Sequence, residues 1–238
     1  MCDLFGLSCN GVDRATQSLP IFSEFGSNNP HGWGIGWFDK NEAIVYRAPT
    51  RADLDRRFFE TIDEASSNNI ISHVRWATHG EKCECNCHPF KRHHNGRDWL
   101  LIHNGWVDGA GGHPKAEGNT DSESIFNELI DYLIEYQNSN KIKGRYPAIK
   151  NAIRDIFNSY EGTINLNLIL TDGNMMYVFN HYQRKPIYML RRSKLYGNAI
   201  LFSTQKLTDE NWEKIPSDRL LAINNGEIEV ISDTLKTS

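Results

Sequence analysis

The sequence predicts an α+β fold of stacked sheets with helices on the outside. Three observations predict it. Strand-like segments come first, two helical segments follow in the middle, and strands return toward the C-terminus; this segregation argues α+β rather than alternating α/β. Several strands alternate apolar and polar residues, so each has one face to bury. No linker and no internal repeat divides the 238 residues, which are read as one domain over 1–238.

Leu4–Ser8 reads as a short opening strand. Gly11–Phe25 is open between coil and a helix starting at Thr16, and Gly26–Gly32 (GSNNPHG) is loop chemistry. His31–Phe38 (HGWGIGWF) alternates glycines with bulky residues, and glycine in a strand marks a close approach by another backbone or a ligand. Asp39–Glu42 turns the chain and Ala43–Arg47 returns as a hairpin partner. Thr50–Ser66 has Leu54, Phe58, Ile62 and Ala65 spaced for one helical face, with Thr50 or Asp53 as cap.

Asn69–Val74 is a strand, Arg75–Asp98 turns polar and loop-like, and Trp99–Asn104 (WLLIHN) is a strand again. Val107–Thr120 is glycine-rich loop. Asp121–Gln137 carries the helical period on Ile125, Leu129 and Leu133, and Pro147–Tyr160 is a second helix with proline in its first turn. Thr163–Leu170 and Met175–Asn180 form a hairpin about Asp172-Gly173. Ile187–Leu190, Ala199–Ser203, Leu220–Ile223 and Glu227–Ile231 complete the strands.

Composition narrows the function class. The chain is 39% hydrophobic and 24% charged with a net charge of -4, so neither disorder nor nucleic-acid binding is indicated. No apolar run approaches the roughly 20 residues of a membrane span, and no signal peptide opens the chain. Five cysteines, three of them crowded at Cys83, Cys85 and Cys87, do not look like a secreted disulfide framework. The expectation is a cytoplasmic protein without nucleic-acid or membrane partners.

Candidate chemistry starts at Cys2. With Met1 removed, Cys2 carries a thiol and a free α-amine, with reference pKa values of about 8.5 and about 8. One residue then supplies a nucleophile and a base; the alternative is a small buried residue opening a strand. Seven of the nine histidines fall between His73 and His113, in sequence read largely as loop. There, HVRWATHG offers the Arg75 guanidinium, the Trp76 indole, the Thr78 hydroxyl and the His79 imidazole. An arginine fork matches a carboxylate, or Arg75 is a surface ion-pair partner and Trp76 core. Asn104-Gly105, ending a strongly apolar strand, presents an amide beside a backbone N–H, as an oxyanion hole does, or is an ordinary turn. Asp121 is a carboxylate for an ammonium group, or an acidic first-turn residue. Cys83-x-Cys85-x-Cys87-His88 invites zinc, but the spacing is too tight for four ligands on one ion; the cysteines are read as loop thiols and His88-Pro89-Phe90 as a turn.

Taken in order over residues 1–125, MC, HGWGIGWF, HVRWATHG, NCHPF, HNG and TDSES resemble the class II glutamine amidotransferases, whose catalytic domain is an N-terminal-nucleophile hydrolase. Phe202–Pro216 resembles their stand-alone, YafJ-like branch. The resemblance implies a four-layer αββα sandwich. It implies that Cys2 attacks the γ-carbonyl of glutamine with its own α-amine moving the proton, and that Asn104 and Gly105 stabilise the oxyanion. Arg75, helped by Thr78 and His79, would clamp the α-carboxylate, Asp121 would hold the α-ammonium, and Trp76 would line the pocket. No cofactor and no metal are called for. Cys87 and the CxCxC run depart from the family pattern.

The leading expectation is therefore hydrolysis of glutamine or another γ-glutamyl amide through a Cys2 thioester, releasing glutamate and ammonia or an amine. With no length for a synthase domain, ammonia would pass to a separate acceptor subunit. Phe22–His31 and Lys82–Asn95 are the expected walls of the leaving-group pocket. A non-catalytic γ-glutamyl-binding or regulatory module with a blocked Cys2, and a zinc protein built on Cys83, Cys85 and His88, are the rival readings.

Overall fold

The computed structural model describes residues 2–139, 142–192 and 197–235; the expected loss of Met1 falls on a residue outside these. Two antiparallel sheets stack face to face. The first has seven strands in the order β11-β9-β10-β1-β4-β2-β3, and the second six in the order β13-β12-β8-β7-β6-β5. In chain order the strands of the N-terminal half are β1 (Asp3–Asp13), β2 (Trp33–Asp39), β3 (Glu42–Ala48), β4 (Ser67–Val74), β5 (Phe90–His94) and β6 (Arg97–Val107). After the long helices come β7 (Ile164–Thr171), β8 (Met175–Asn180), β9 (Tyr188–Arg192), β10 (Ala199–Ser203), β11 (Glu213–Lys214), β12 (Leu220–Asn224) and β13 (Glu227–Ile231).

Alternation along single strands builds the layers. On β1, Leu4 faces the second sheet with Ile71, Leu100, Ile102 and Ile169, while its neighbour Phe5 faces the other way with Phe22, Trp33 and Phe58. That outer core is covered by α1 (Leu19–Ser23) and α2 (Arg56–Glu64). On β6, Leu100 and Ile102 face the first sheet, while Trp99 and Leu101 pack under α3 (Asp121–Ser139) and α4 (Arg145–Ser159). Helices, sheet, sheet, helices: the expected αββα sandwich is the architecture. A sheet covered on both faces also explains why WLLIHN reads as continuous apolar sequence rather than a clean alternation.

Three local expectations are corrected. The segment read as loop from Arg75 to Asp98 contains β5, which pairs with β6 through a tight turn at Asn95-Gly96, both at positive φ (53° and 73°). Asn-Gly is the usual two-residue hairpin turn. The helix read over Thr50–Ser66 is shorter, because Asp55, extended at φ -92°, accepts a hydrogen bond from Arg57 N–H and starts α2 there. Leu54, assigned to its buried face, lies before that cap and is 72% exposed. The two-residue β11 was absent from the reading; both its residues are exposed, so it carries no apolar signal. Among the described residues no helix is long and apolar enough to cross a membrane.

Candidate active site

The site forms where strands of both sheets end. Asp3 pairs with Val74 of β4, and Val74 pairs on its other side with Trp33 of β2. Cys2 therefore lies at the sheet edge beside the residues that follow β4. There the Trp76 backbone N–H donates to Cys2 Sγ at 3.2 Å. From the opposite sheet, Asn104 shares the inward face of β6 with Leu100 and Ile102, and its Nδ2 donates to the Cys2 carbonyl at 2.8 Å. Gly105 follows at φ +145°, where a Cβ would sit 1.9 Å from the Asn165 carbonyl oxygen. Only glycine fits so close a backbone approach.

Arg75 is buried, and its two terminal nitrogens donate to the carbonyls of Glu81 and His79, each at 2.9 Å. The guanidinium thus shapes the loop that follows β4, and these two bonds use only part of its five N–H donors. His79 joins through its backbone only, its side chain being exposed, and Thr78 is exposed with no side-chain hydrogen bond among the described residues. Trp76 is 42% exposed and lies tilted on the His31 ring, centroids 5.1 Å apart. Asp121 opens α3, and its Oδ2 accepts from Val107 N–H at 3.0 Å, which ties the helix start to the chain just past Gly105.

Asn86 closes the ring of contacts. Its Nδ2 donates to Glu81 O and to Asn119 Oδ1, and its Oδ1 accepts from Asn119 N–H. Contacts therefore run from Cys2 through Trp76, Arg75, Glu81, Asn86 and Asn119 to the start of α3, then through Asp121 and Val107 back to Asn104. This chain of contacts links Cys2, Arg75, Asn104 and Asp121, while the side chains of Thr78 and His79 take no part in it.

Burial pushes the Cys2 thiol up, the Trp76 N–H bond opposes this, and the Lys185 ammonium also pulls it down. Beside the site, the His73 and His88 rings lie tilted against each other, 4.1 Å between centroids. Both are buried, and no ring nitrogen of either has a hydrogen-bond partner among the described residues. Burial first, then neighbouring charge, pushes His73 down to about 3 and His88 well below its ordinary value. Burial thus favours the neutral form of both imidazoles.

Two expectations about the polar loop change. Cys83 and Cys85 are not loop thiols but a disulfide, their Cα atoms 5.4 Å apart, within the normal bridging range. The zinc reading loses its ligands with that bond, since His88 also turns inward against His73 rather than toward the cysteines. Cys87 is a buried free thiol beneath the Cys83 carbonyl. The His88-Pro89 peptide is cis.

The sequence reading missed several residues of the site. His31 accepts from Ala77 N–H through Nδ1 and so clips the Arg75 loop. Asn86 looked like one more loop polar. A polar quartet stands behind Cys2: buried Asp3 accepts from Thr204 Oγ1 at 2.7 Å and Asn29 Nδ2 at 2.9 Å and pairs with half-buried Lys185 at 2.8 Å. An acid directly after the candidate nucleophile was the available signal. The quartet lines a cleft of about 410 Å³, to which Phe25, Asn28 and Asn29 contribute but no residue of Lys82–Asn95 does.

The model of the class II glutamine amidotransferases matches residues 1–203. The putative glutamine amidotransferase YafJ of Escherichia coli is 26% identical, over 94% of this chain and 89% of that protein. The γ-glutamyl-hercynylcysteine sulfoxide hydrolase of Mycobacterium tuberculosis is 35% identical, over 88% of this chain and 82% of that protein. In fold the chain resembles the glutamine phosphoribosylpyrophosphate amidotransferase of B. subtilis, with a TM-score of 0.71 at 15% identity over the whole chain and 50% of that structure. With a family match over residues 1–203 and a relative 35% identical over most of both chains, this chain belongs to the class II glutamine amidotransferases.

Proposed function

We propose that this protein hydrolyses γ-glutamyl amides through a thioester on Cys2, releasing glutamate and the amine. The contact of Asn104 with the Cys2 carbonyl, opposite the Trp76 N–H on the Cys2 sulfur, carries the reading. It holds the thiol beside an amide donor that turns to a developing oxyanion as Cys2 attacks. Sulfur adds to the γ-carbonyl, the C–N bond breaks, and the thiol proton passes through the Cys2 α-amine to the departing nitrogen. Water then adds to the thioester, the C–S bond breaks, and glutamate leaves with the thiol restored.

In this reading Asn104 and the Gly105 N–H stabilise the oxyanion. The N–H groups of Arg75 not spent on its loop hold the α-carboxylate, with Thr78 and His79 at the mouth. Asp121 takes the α-ammonium and Trp76 walls the pocket. Hydrolysis of a conjugate is favoured over supply of ammonia to an acceptor subunit because the Mycobacterium relative, named for hydrolysing a γ-glutamyl conjugate, aligns over most of both chains.

The test is glutamate release from glutamine and from γ-glutamyl peptides by purified protein, with Cys2→Ala beside it. Turnover lost in Cys2→Ala, at an unchanged melting temperature, is the expected result. Silence on every γ-glutamyl amide, from a chain whose intact mass shows Met1 removed, sinks the proposal. A chain that keeps Met1 in its native host turns the reading to the blocked, non-catalytic module.

A further inference from the structure

The segment that meets the Cys2 sulfur lies past the end of β4, and one side chain ties it down. Trp76 touches the sulfur through its backbone alone: its N–H donates to Cys2 Sγ at 3.2 Å, and its carbonyl accepts from the thiol at 3.4 Å. The pairing of β4 with β2 ends at Val74 and Trp33. Two backbone bonds carry it one residue further. Arg75 N–H donates to the Gly32 carbonyl at 2.7 Å, and His31 N–H donates to the Arg75 carbonyl at 3.0 Å. The next two N–H groups turn to side chains, Trp76 to Cys2 Sγ and Ala77 to His31 Nδ1 at 3.0 Å. His31 therefore grips the chain on both sides of Trp76. Its ring also lies tilted on the exposed Trp76 indole, centroids 5.1 Å apart.

The bond from Ala77 fixes the state of the ring. An imidazole nitrogen accepts an N–H only while its lone pair is free, so Nδ1 is unprotonated and the proton of the neutral ring sits on Nε2. Burial first, then the Lys82 and Arg75 cations, push the His31 pKa below its ordinary value, which favours that form. At the other end of the linkage, the Trp76 N–H pulls the Cys2 thiol toward thiolate, against the burial that pushes it up. An acceptor on His31 thus acts on the reactivity of a sulfur that His31 does not touch.

We propose that His31 is a positioning residue for the nucleophile: by accepting from Ala77 N–H, its Nδ1 holds the Trp76 N–H on the Cys2 sulfur and keeps the thiol reactive at neutral pH. The inference deepens the hydrolysis proposed above, and only the kinetic arm of its test depends on that reading. The two backbone bonds between residues 31–32 and Arg75 do not involve the imidazole. Loss of the acceptor is therefore expected to disturb the sulfur more than the arginine.

Two substitutions separate the acceptor from the ring. His31→Phe keeps an aromatic ring for Trp76 and removes the acceptor, whereas His31→Asn returns an acceptor oxygen close to the Nδ1 position and removes the ring. The first readout is the rate of Cys2 alkylation by iodoacetamide against pH, followed by intact mass and located by peptide mapping. Cys9 and Cys87 are buried and Cys83 and Cys85 are bonded to each other, so Cys2 is the accessible thiol among the described residues. In His31→Phe the rate at pH 7 is expected to fall about two- to tenfold, the scale of one hydrogen bond, with the midpoint of the profile moved to higher pH. His31→Asn is expected to recover most of that rate. His31→Leu, which also lacks an acceptor, reads the same loss should the phenyl ring prevent folding. The second readout is turnover of a γ-glutamyl amide, where kcat is expected to fall with the alkylation rate and KM to stay within about twofold. Alkylation of His31→Phe at the wild-type rate overturns the inference. So does a His31→Asn as slow as His31→Phe, which assigns the effect to the ring, and so does a rise in KM with Cys2 reactivity unchanged, which assigns His31 to the arginine clamp. If wild type turns over no γ-glutamyl amide, the hydrolysis reading fails, while the order of the alkylation rates still decides whether His31 places the thiol.

Discussion

Asn104 joins the two sheets at the site, its Nδ2 on β6 donating to the Cys2 carbonyl beside β1. The same Nδ2 that donates to the Cys2 carbonyl in the resting site is the group a tetrahedral oxyanion would recruit. Asn104→Ala removes one preorganised donor, and such losses cost about 10²–10³ in kcat. Because the asparagine touches Cys2 and not the glutamyl end, KM is expected to change far less than kcat. Steady-state kinetics on a γ-glutamyl amide check this. A rise in KM with kcat intact would move Asn104 from oxyanion stabilisation to substrate binding.

At the scale of elements, the glycines of HGWGIGWF set how closely the loop before β5 lies on β2. A Cβ on Gly34 would stand 2.0 Å from the His88 carbonyl oxygen, and backbone, unlike the end of a side chain, cannot swing aside. Gly34→Ala is therefore expected to shift β2 or the His88 segment and to lower stability by about 1–3 kcal/mol or more, as overpacked cores do. The urea midpoint reads it, and a midpoint within error of wild type would show that the two backbones have room to part. Since that segment carries His88 beside His73, one strand from Cys2, activity is expected to fall as well.

For the whole molecule, the two buried imidazoles are one source of acid sensitivity. His73 and His88 are held neutral in the fold, with His73 pushed down to about 3, whereas in the unfolded chain each protonates near about 6.5. A base whose folded pKa is depressed gives stability that is complete above the unfolded pKa and is lost as pH falls below it. From about pH 6.5 toward pH 3 the unfolded chain binds the extra protons, and each such histidine costs about 1.4 kcal/mol per pH unit. Denaturant midpoints at pH 7, 6, 5 and 4 are expected to decline over that range. His73→Gln is expected to decline less steeply between pH 6 and 4; identical slopes would show that His73 protonates within the fold.

By itself the sequence determined the architecture class, because period-two and period-3.6 apolar patterns record which faces are buried whatever they pack against. It also determined the order of the chemical residues, since Cys2, Arg75, Asn104, Gly105 and Asp121 stand in recognisable local strings. Asn95-Gly96 carries the hairpin signal in the sequence too, set among polar and charged neighbours that mask the strands it joins. Only the tertiary structure decided the rest, for a physical reason common to all of it: the partners are far apart in the chain. The Asn104–Cys2 contact spans 102 residues and the Thr204–Asp3 contact 201. No local pattern marks Asn86, Asn29 or Thr204 as more than polar loop residues. Their meaning comes from β1 and β6 lying opposite each other in facing sheets, and from β10 ending beside the strand that begins at Asp3.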